Sequence, residues 1–502
     1  MSREAYAEPT PRAKPRAHTL SVGVDRTLIA VVALLILVPC FWQPYIEAGD
    51  LASHTYNAWL AGQIELGKVP PGSVTLAHPI TNVLSDWALQ ALVYKLGRAS
   101  AERIVVSAAV EVFFWGAFCF VAAVAGQRCW MIAPSLAMIA YGQIFHLGFL
   151  NFYISTGLSL WVMTLLWRPQ RPRVWLAIPV ALLALLAHAL PLLGAAAALL
   201  YVYGLRRVPE TYRWGVFVGG MCLLVLLQTT LLTFFPTRWV PADILRLDGV
   251  TGLAGPGQLW LYGAQYLIVI AGLLLVWFFL FLERLDRGKI LEDPMIHLWA
   301  LSILAYILLP RQIQLPQYRF PLAFIQPRIS FFVAVLFCAM VAGGLHGRGL
   351  TRASCLLAGA FFTMLFLDAK SLNQVDEQLN KIVAALPPGQ RLVAALQDSS
   401  SVQLNGLIHI GSGACIERCW DYGNYEPATA QFRVQAPGPN PVVAGDMSLV
   451  ADLEQGRHVV TAPEAPLYSV CAVKGSDTHF ELRKLTAGET TCLLQIPATN
   501  HF

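Results

Sequence analysis

The sequence predicts an all-α polytopic membrane bundle of about eleven transmembrane helices, with a small extracytoplasmic α/β or mostly β domain at its C-terminus. Three observations predict it. Of 502 residues, 56% are hydrophobic and only 13% charged, with a mean hydropathy of +0.56, whereas soluble domains carry about 25% charged residues. Apolar runs near the ~20-residue spanning length recur from residue 27 to about 369. The short basic loops between them all fall on one side when the runs are counted as spans. The net charge of +5 is small and not gathered in one block, which argues against nucleic acid as a partner.

Residues 1–26 carry Arg12, Lys14, Arg16 and Arg26 among prolines and read as a disordered cytoplasmic tail. The run from Thr27 to Ile46 is long enough to span and lacks a small-residue cleavage pattern, so it reads as a span and not a signal peptide. The transmembrane region then extends over 27–369, with a first outer loop at 47–103. At helical spacing, one side of this loop's first helix carries Asp50, His54, Asn57 and Glu65. The other carries Ala52, Tyr56, Trp59, Leu60 and Ile64, as in a helix lying along a membrane surface. Lys68-Val-Pro70-Pro71-Gly72 ends it, since consecutive prolines cannot continue a helix. Asp50 and His54, four residues apart, share a face within reach of one substrate. The plainer reading is a polar face that only meets water. After His78-Pro79, a second interfacial helix runs to Arg98, with Asn82, Asp86 and Gln90 opposite an apolar side. Asp86 near its middle argues for lying on the membrane.

Spans are expected over 104–125, 130–147, 149–167, 174–187, 189–205, 214–235, 259–282, 295–309, 329–345 and 352–368. The run 174–205 is too long for one span and is broken at His188-Ala-Leu-Pro191. With the N-terminus inside, Arg128, Arg168 to Arg173, Arg206-Arg207, Arg284 to Lys289 and His346 to Arg352 all become cytoplasmic, and the C-terminus lies outside. One outer loop breaks the pattern by carrying Arg311, Arg319 and Arg328. These arginines either meet lipid head groups or bind phosphate oxygens bidentately. The other long outer loop, Pro236 to Gln258, either closes over a site or merely connects. Within the spans, Glu111, His146, Asn151 and His188 stand out as ionisable or polar groups.

Residues 370–502 form the soluble domain, with short alternating segments such as Arg457–Thr461 and Leu467–Val473, separated by turns such as Ala436-Pro-Gly-Pro-Asn-Pro441. An outside C-terminus faces an oxidising compartment, so Cys415, Cys419, Cys471 and Cys492 read as two disulfides. Of three connectivities, Cys415–Cys419 with Cys471–Cys492 is favoured. Trp420-Asp-Tyr-Gly-Asn-Tyr425 reads as core aromatics before a carbohydrate-stacking surface.

A first span followed at once by Gly49-Asp50-Leu-Ala-Ser-His54-Thr-Tyr-Asn-Ala-Trp-Leu-Ala-Gly62 and Gly67-Lys-Val-Pro70 resembles the first outer loop of bacterial integral-membrane glycosyltransferases of the GT-C fold. The resemblance implies transfer of a sugar from a polyprenyl phosphate donor to an extracytoplasmic glycan, lipid or protein acceptor, with inversion, at the inner membrane. Asp50 matches the family's acidic residue and becomes the candidate base. His54 orients it or the acceptor, and Glu47 is the second catalytic candidate. The paired carboxylates of many members are absent as Asp-x-Asp; only Glu47-x-x-Asp50 stands here. The leaving lipid phosphate needs positive charge, from Arg319 with Arg328 or from a divalent cation such as Mg or Mn. Arg311, Asp86 and His78 complete the candidate substrate-binding set. The rival class is a non-catalytic membrane protein, a transporter or a scaffold presenting the C-terminal domain. The absence of an internal repeat weighs against transport.

Overall fold

The computed structural model describes residues 22–168, 172–285, 292–343, 347–396, 403–472 and 480–492. Most of the expected tail lies outside these residues, as do Arg171, Lys289 and His346 of the basic loops. The chain opens with α1 (Val22–Leu37), α2 (Leu51–Glu65) and a short strand β1 (Thr75–Leu76). α3 (Leu84–Ala125) bends at Gly97, whose φ of 74° and ψ of 170° require a residue without a Cβ. The two helices expected in the first loop are thus α2 and the part of α3 before the bend.

The span expected over 130–147 is not one helix. It is split into α4 (Ala133–Ala140) and α5 (Gln143–His146). Gly142 between them is extended, and a Cβ there would come within 3.0 Å of the Gln258 carbonyl oxygen. The loop that ends at Gln258 therefore presses on the break. α6 (Leu150–Leu166), α7 (Val174–Ala187) and α8 (Ala189–Arg207) follow. The 174–205 run is broken as its length predicts. His188 is extended there, and its ring Nδ1 accepts the Leu190 N–H at 3.2 Å, capping α8. Pro191 falls in the first turn of α8, where a missing N–H removes no helical bond.

Next come α9 (Arg213–Phe234), β2 (Thr237–Arg238), α10 (Leu247–Ala254), α11 (Tyr266–Leu285), α12 (Pro294–Leu308), β3 (Gln312–Ile313), α13 (Ile325–Val341) and α14 (Arg348–Ala384). Among the described residues five helical runs, α3, α8, Glu210–Phe234 (which includes α9), α11 and α14, are long and apolar enough to cross a membrane. Five shorter apolar helices accompany them. Leu34, Leu200, Phe234 and Leu356 are exposed on these helices, as suits contact with lipid. β2 and β3 pair antiparallel, tying the two long loops at 236–258 and 310–328 together.

The domain boundary expected at 370 falls inside α14, which continues to Ala384. Its last turns bury Leu372, Val375, Leu379 and Val383 on one face, so tertiary packing carries the helix past the apolar segment. The soluble domain is then built from β4 (Arg391–Ala395), α15 (Ile410–Cys415), β5 (Trp420–Asp421), α16 (Glu426–Thr429), β6 (Val434–Gln435), α17 (Met447–Glu454), β7 (Leu467–Ala472) and β8 (Phe480–Leu485). Four strands form one sheet in the order β5-β4-β7-β8, parallel except for β8. The domain is α/β. Arg457–Thr461 is not a strand: Val459 forms a single bridge with Thr490. Cys415 pairs with Cys419 and Cys471 with Cys492, at Cα separations of 4.6 and 5.9 Å. Both lie within the range a disulfide spans. β6 leaves this sheet and pairs with β1, Thr75 opposite Gln435, so the first loop and the soluble domain share a ladder.

Candidate active site

α2 is where the first loop and the soluble domain meet. Every residue from Leu51 to Gly62 is buried, so α2 does not lie with a polar face toward water. The face expected to be wet is covered by the segment Asp421–Glu426. Asn57 and Asn424 exchange amide hydrogen bonds, Asn57 donating at 3.0 Å and Asn424 at 2.8 Å. Ser53 Oγ donates to Glu426 Oε1 at 3.0 Å, and the Tyr56 hydroxyl accepts the Asp421 N–H at 3.0 Å. Ser53, Tyr56 and Asn57 therefore each find a hydrogen-bond partner across the seam, whereas His54 Nδ1 lies at ion-pair distance from Glu426 without a hydrogen bond. On the apolar side, Trp59 packs against Trp420 with ring centroids 5.8 Å apart.

Asp50 occupies the N-cap position of α2 without using its side chain as a cap. Its own N–H donates to the Leu147 carbonyl at 3.1 Å. Gly49 makes this approach possible, since a Cβ there would lie 2.6 Å from the Leu147 oxygen. The Asp50 carboxylate is left to face His409, whose Nε2 lies 3.5 Å away. The His409 ring stacks on Tyr425 with ring centroids 4.6 Å apart. One turn on, His54 Nδ1 lies 3.0 Å from Glu426 Oε1 and 4.0 Å from Asp86 Oδ1. The Phe432 ring walls the imidazole at 5.6 Å. Asp86 is held by Ser85 and by the Asn151 amide. Of these acidic groups, Asp50 keeps the most access, its side chain 19% exposed against 2% for Glu426.

The charges explain one another. Burial pushes the Asp50 pKa up to about 6, against the pull of the His54 charge. Glu426 adds to that rise, and Arg328 opposes it. Burial alone would lower His54, but Glu426 first, then Asp86 and Asp50, push it up to about 10. His409 goes the other way: burial, helped by the His54 charge, lowers it to about 3. At neutral pH the seam therefore holds a charged His54 and a neutral His409 on either side of a largely ionised Asp50.

No known family, curated protein or solved structure matches the chain.

The predicted residues divide sharply. His54 and Asp86 come together one turn from Asp50, and Arg328 reaches Asp50 only through its charge. Its guanidinium sits 4.6 and 5.0 Å over the Phe149 and Phe152 rings, with Nη1 3.5 Å from His188 Nε2. Arg311 and Arg319 do not join. Arg311 is bound to Asp243 at 3.1 Å and to Gln326 at 2.8 Å, which neutralises it and pins the loop 236–258. Arg319 is a tie to the soluble domain, donating from its N–H to Thr429 O at 2.9 Å and from Nη1 to Ala436 O at 3.1 Å. Glu47 turns away: it accepts from Asn373 at 2.8 Å, and burial, reinforced by Asp376, raises its pKa well above the carboxylate range. His78 is exposed.

Three groups escaped the sequence reading: Glu426, Tyr425 and His409. Tyr425 closes the aromatic segment at 420–425, and Glu426 directly follows it, but nothing in their spacing links them to a helix more than 360 residues earlier. Among the span residues, Glu111 accepts from Trp115 at 2.6 Å and His146 Nδ1 lies 3.1 Å from Glu47 O. Both have local structural partners. Among the described residues no group of three His, Cys, Asp or Glu side chains is arranged to hold a metal ion.

Proposed function

We propose that the chain is an integral-membrane glycosyltransferase that takes a sugar from a polyprenyl phosphate, with Asp50 as the base. In this reading eleven spans place the soluble domain and α2 on the extracytoplasmic side. Asp50 accepts the proton of an acceptor hydroxyl while that oxygen attacks the anomeric carbon. The bond from that carbon to the phosphate oxygen breaks, and its electron pair leaves with the lipid phosphate. Arg328 then meets the phosphate charge. A pKa near 6 suits a base that is ionised at neutral pH yet still able to take a proton. The observation that carries the reading is the Asp50 carboxylate: it caps nothing, retains solvent access, and feels both His54 and Arg328.

A scaffold is the second reading, favoured by the hydrogen bonds of Ser53, Tyr56 and Asn57 and the His54–Glu426 ion pair across the seam. On that view α2 exists to hold the soluble domain. The experiment supplies purified protein in proteoliposomes with a panel of polyprenyl phosphate sugars and candidate acceptors. Transfer should be seen, and Asp50→Asn should lower it by at least ~10²-fold while leaving donor binding in place. Arg328→Ala should weaken lipid-phosphate binding, whereas Arg319→Ala should not. Absence of transfer with every donor would leave the scaffold.

A further inference from the structure

The soluble domain does more than cover α2. Glu426 is 2% exposed and sits in the first turn of α16, its backbone N–H held by Asn424 Oδ1 at 3.3 Å. Its Oε1 receives the Ser53 hydroxyl and lies 3.0 Å from His54 Nδ1. A carboxylate this deeply buried is costly unless a cation and hydrogen bonds compensate it. His54 is the cation within ion-pair distance. The groups facing the imidazole are Asp50 from its own helix, Asp86 from α3, and Glu426 and the Phe432 ring from the soluble domain. His409 and Arg433 also belong to the charge environment, His409 sensing the His54 charge and Arg433 lowering the proton affinity of Asp86.

We propose that Glu426 is a positioning residue: from the soluble domain it holds the charged His54 ring one helical turn from Asp50. The shorter of the two carboxylate contacts to Nδ1 is that of Glu426, 3.0 Å against 4.0 Å for Asp86. Glu426 therefore governs the imidazole and Asp86 assists. The charged ring in turn holds Asp50 ionised against its burial. The base and the group that conditions it then belong to different domains, so the site is complete only when the soluble domain is docked. This assignment deepens the glycosyltransferase reading and rests on it for its catalytic meaning, but the ion pair itself is tested without any substrate.

The test is ¹⁵N nuclear magnetic resonance of histidine-labelled protein in proteoliposomes, with the His54 ring signals identified by their loss in His54→Gln. In the native protein the ring should be an imidazolium at pH 8. Glu426→Gln should lower its titration midpoint by about 1–3 units, the effect of an adjacent opposite charge. Glu426→Asp should preserve the imidazolium, and Asp86→Asn should move the midpoint less than Glu426→Gln. A neutral His54 at pH 8 in the native protein would overturn the proposal, as would an unmoved midpoint in Glu426→Gln. Should Glu426→Gln not fold, the native and Asp86→Asn samples decide. An imidazolium at pH 8 that survives Asp86→Asn supports Glu426, and one lost in Asp86→Asn assigns the role to Asp86. A midpoint that shifts as stated, with no sugar transfer from any donor, keeps the Glu426–His54 pair and removes the glycosyltransferase reading alone.

Discussion

Asp50 and His54 are one helical turn apart, yet the fold moves their proton affinities by opposite balances. For His54 the folded value, about 10, stands above the ordinary 6.5. The fold therefore binds that proton more tightly than the unfolded chain does. Its contribution to stability is complete below about pH 6.5 and is lost as pH rises toward 10. Thermal unfolding in detergent should show a melting temperature that declines across this window. His54→Gln should flatten the decline, and an unchanged slope would mean that His54 is not the titrating group. His409 has the contrary sign: lowered to about 3, it costs stability as pH falls from 6.5. Asp50, raised to about 6, costs stability as pH rises from 3.8. These two trends oppose each other on the acid side, which leaves the alkaline decline as the cleaner measurement. The alignment of Asp50 with His54 was legible because helical spacing puts them on one face, whereas the approach of Asp86 to His54 at 4.0 Å was not, because it depends on how α3 packs on α2. Glu426, Tyr425 and His409 were not legible, because only the packing of a distant domain brings them there.

At the scale of elements, the seam along α2 is a polar interface inside a protein dominated by apolar packing. Its register is set by the reciprocal amide pair of Asn57 and Asn424, which satisfies two buried side chains at once. Breaking one partner leaves the other desolvated and unpaired, at a cost of about 1–3 kcal/mol. Asn424→Leu should therefore lower the unfolding free energy by that amount in denaturant titration. Asn57→Leu combined with Asn424→Leu should recover part of the loss, because both orphaned amides are then gone. A double variant no better than the single ones would mean that packing, not pairing, sets the cost. Element identities followed from sequence where local chemistry decides them, as at the His188 break. They did not follow where a partner decides them. The polar side of α2 has the same pattern whether it meets water or another domain, and 130–147 is mostly apolar although Gly142 breaks it against the loop at Gln258.

For the whole molecule, the disulfides and the seam bear on the same question of sidedness. Cys415–Cys419 and Cys471–Cys492 both lie in the soluble domain, while the six free cysteines, from Cys40 to Cys355, lie in the helical bundle or beside it. Such a partition is what an oxidising compartment on the domain's side would produce, since disulfides persist there and not in a reducing cytoplasm. Because β1 pairs with β6 and α2 packs on Asp421–Glu426, the first loop must share the domain's side. Asp50, Arg328 and the soluble domain are therefore expected to face outward together, with the basic loops inward. Two measurements check this. Peptide mapping without reduction should recover both disulfide-linked pairs from membranes. A cysteine introduced at exposed Ser448 should react with a membrane-impermeant maleimide added outside intact cells. Labelling only after the membrane is opened, with all four thiols free, would turn the molecule over. It would place Asp50 on the cytoplasmic side, where a donor carried by an extracytoplasmic polyprenyl phosphate does not reach it.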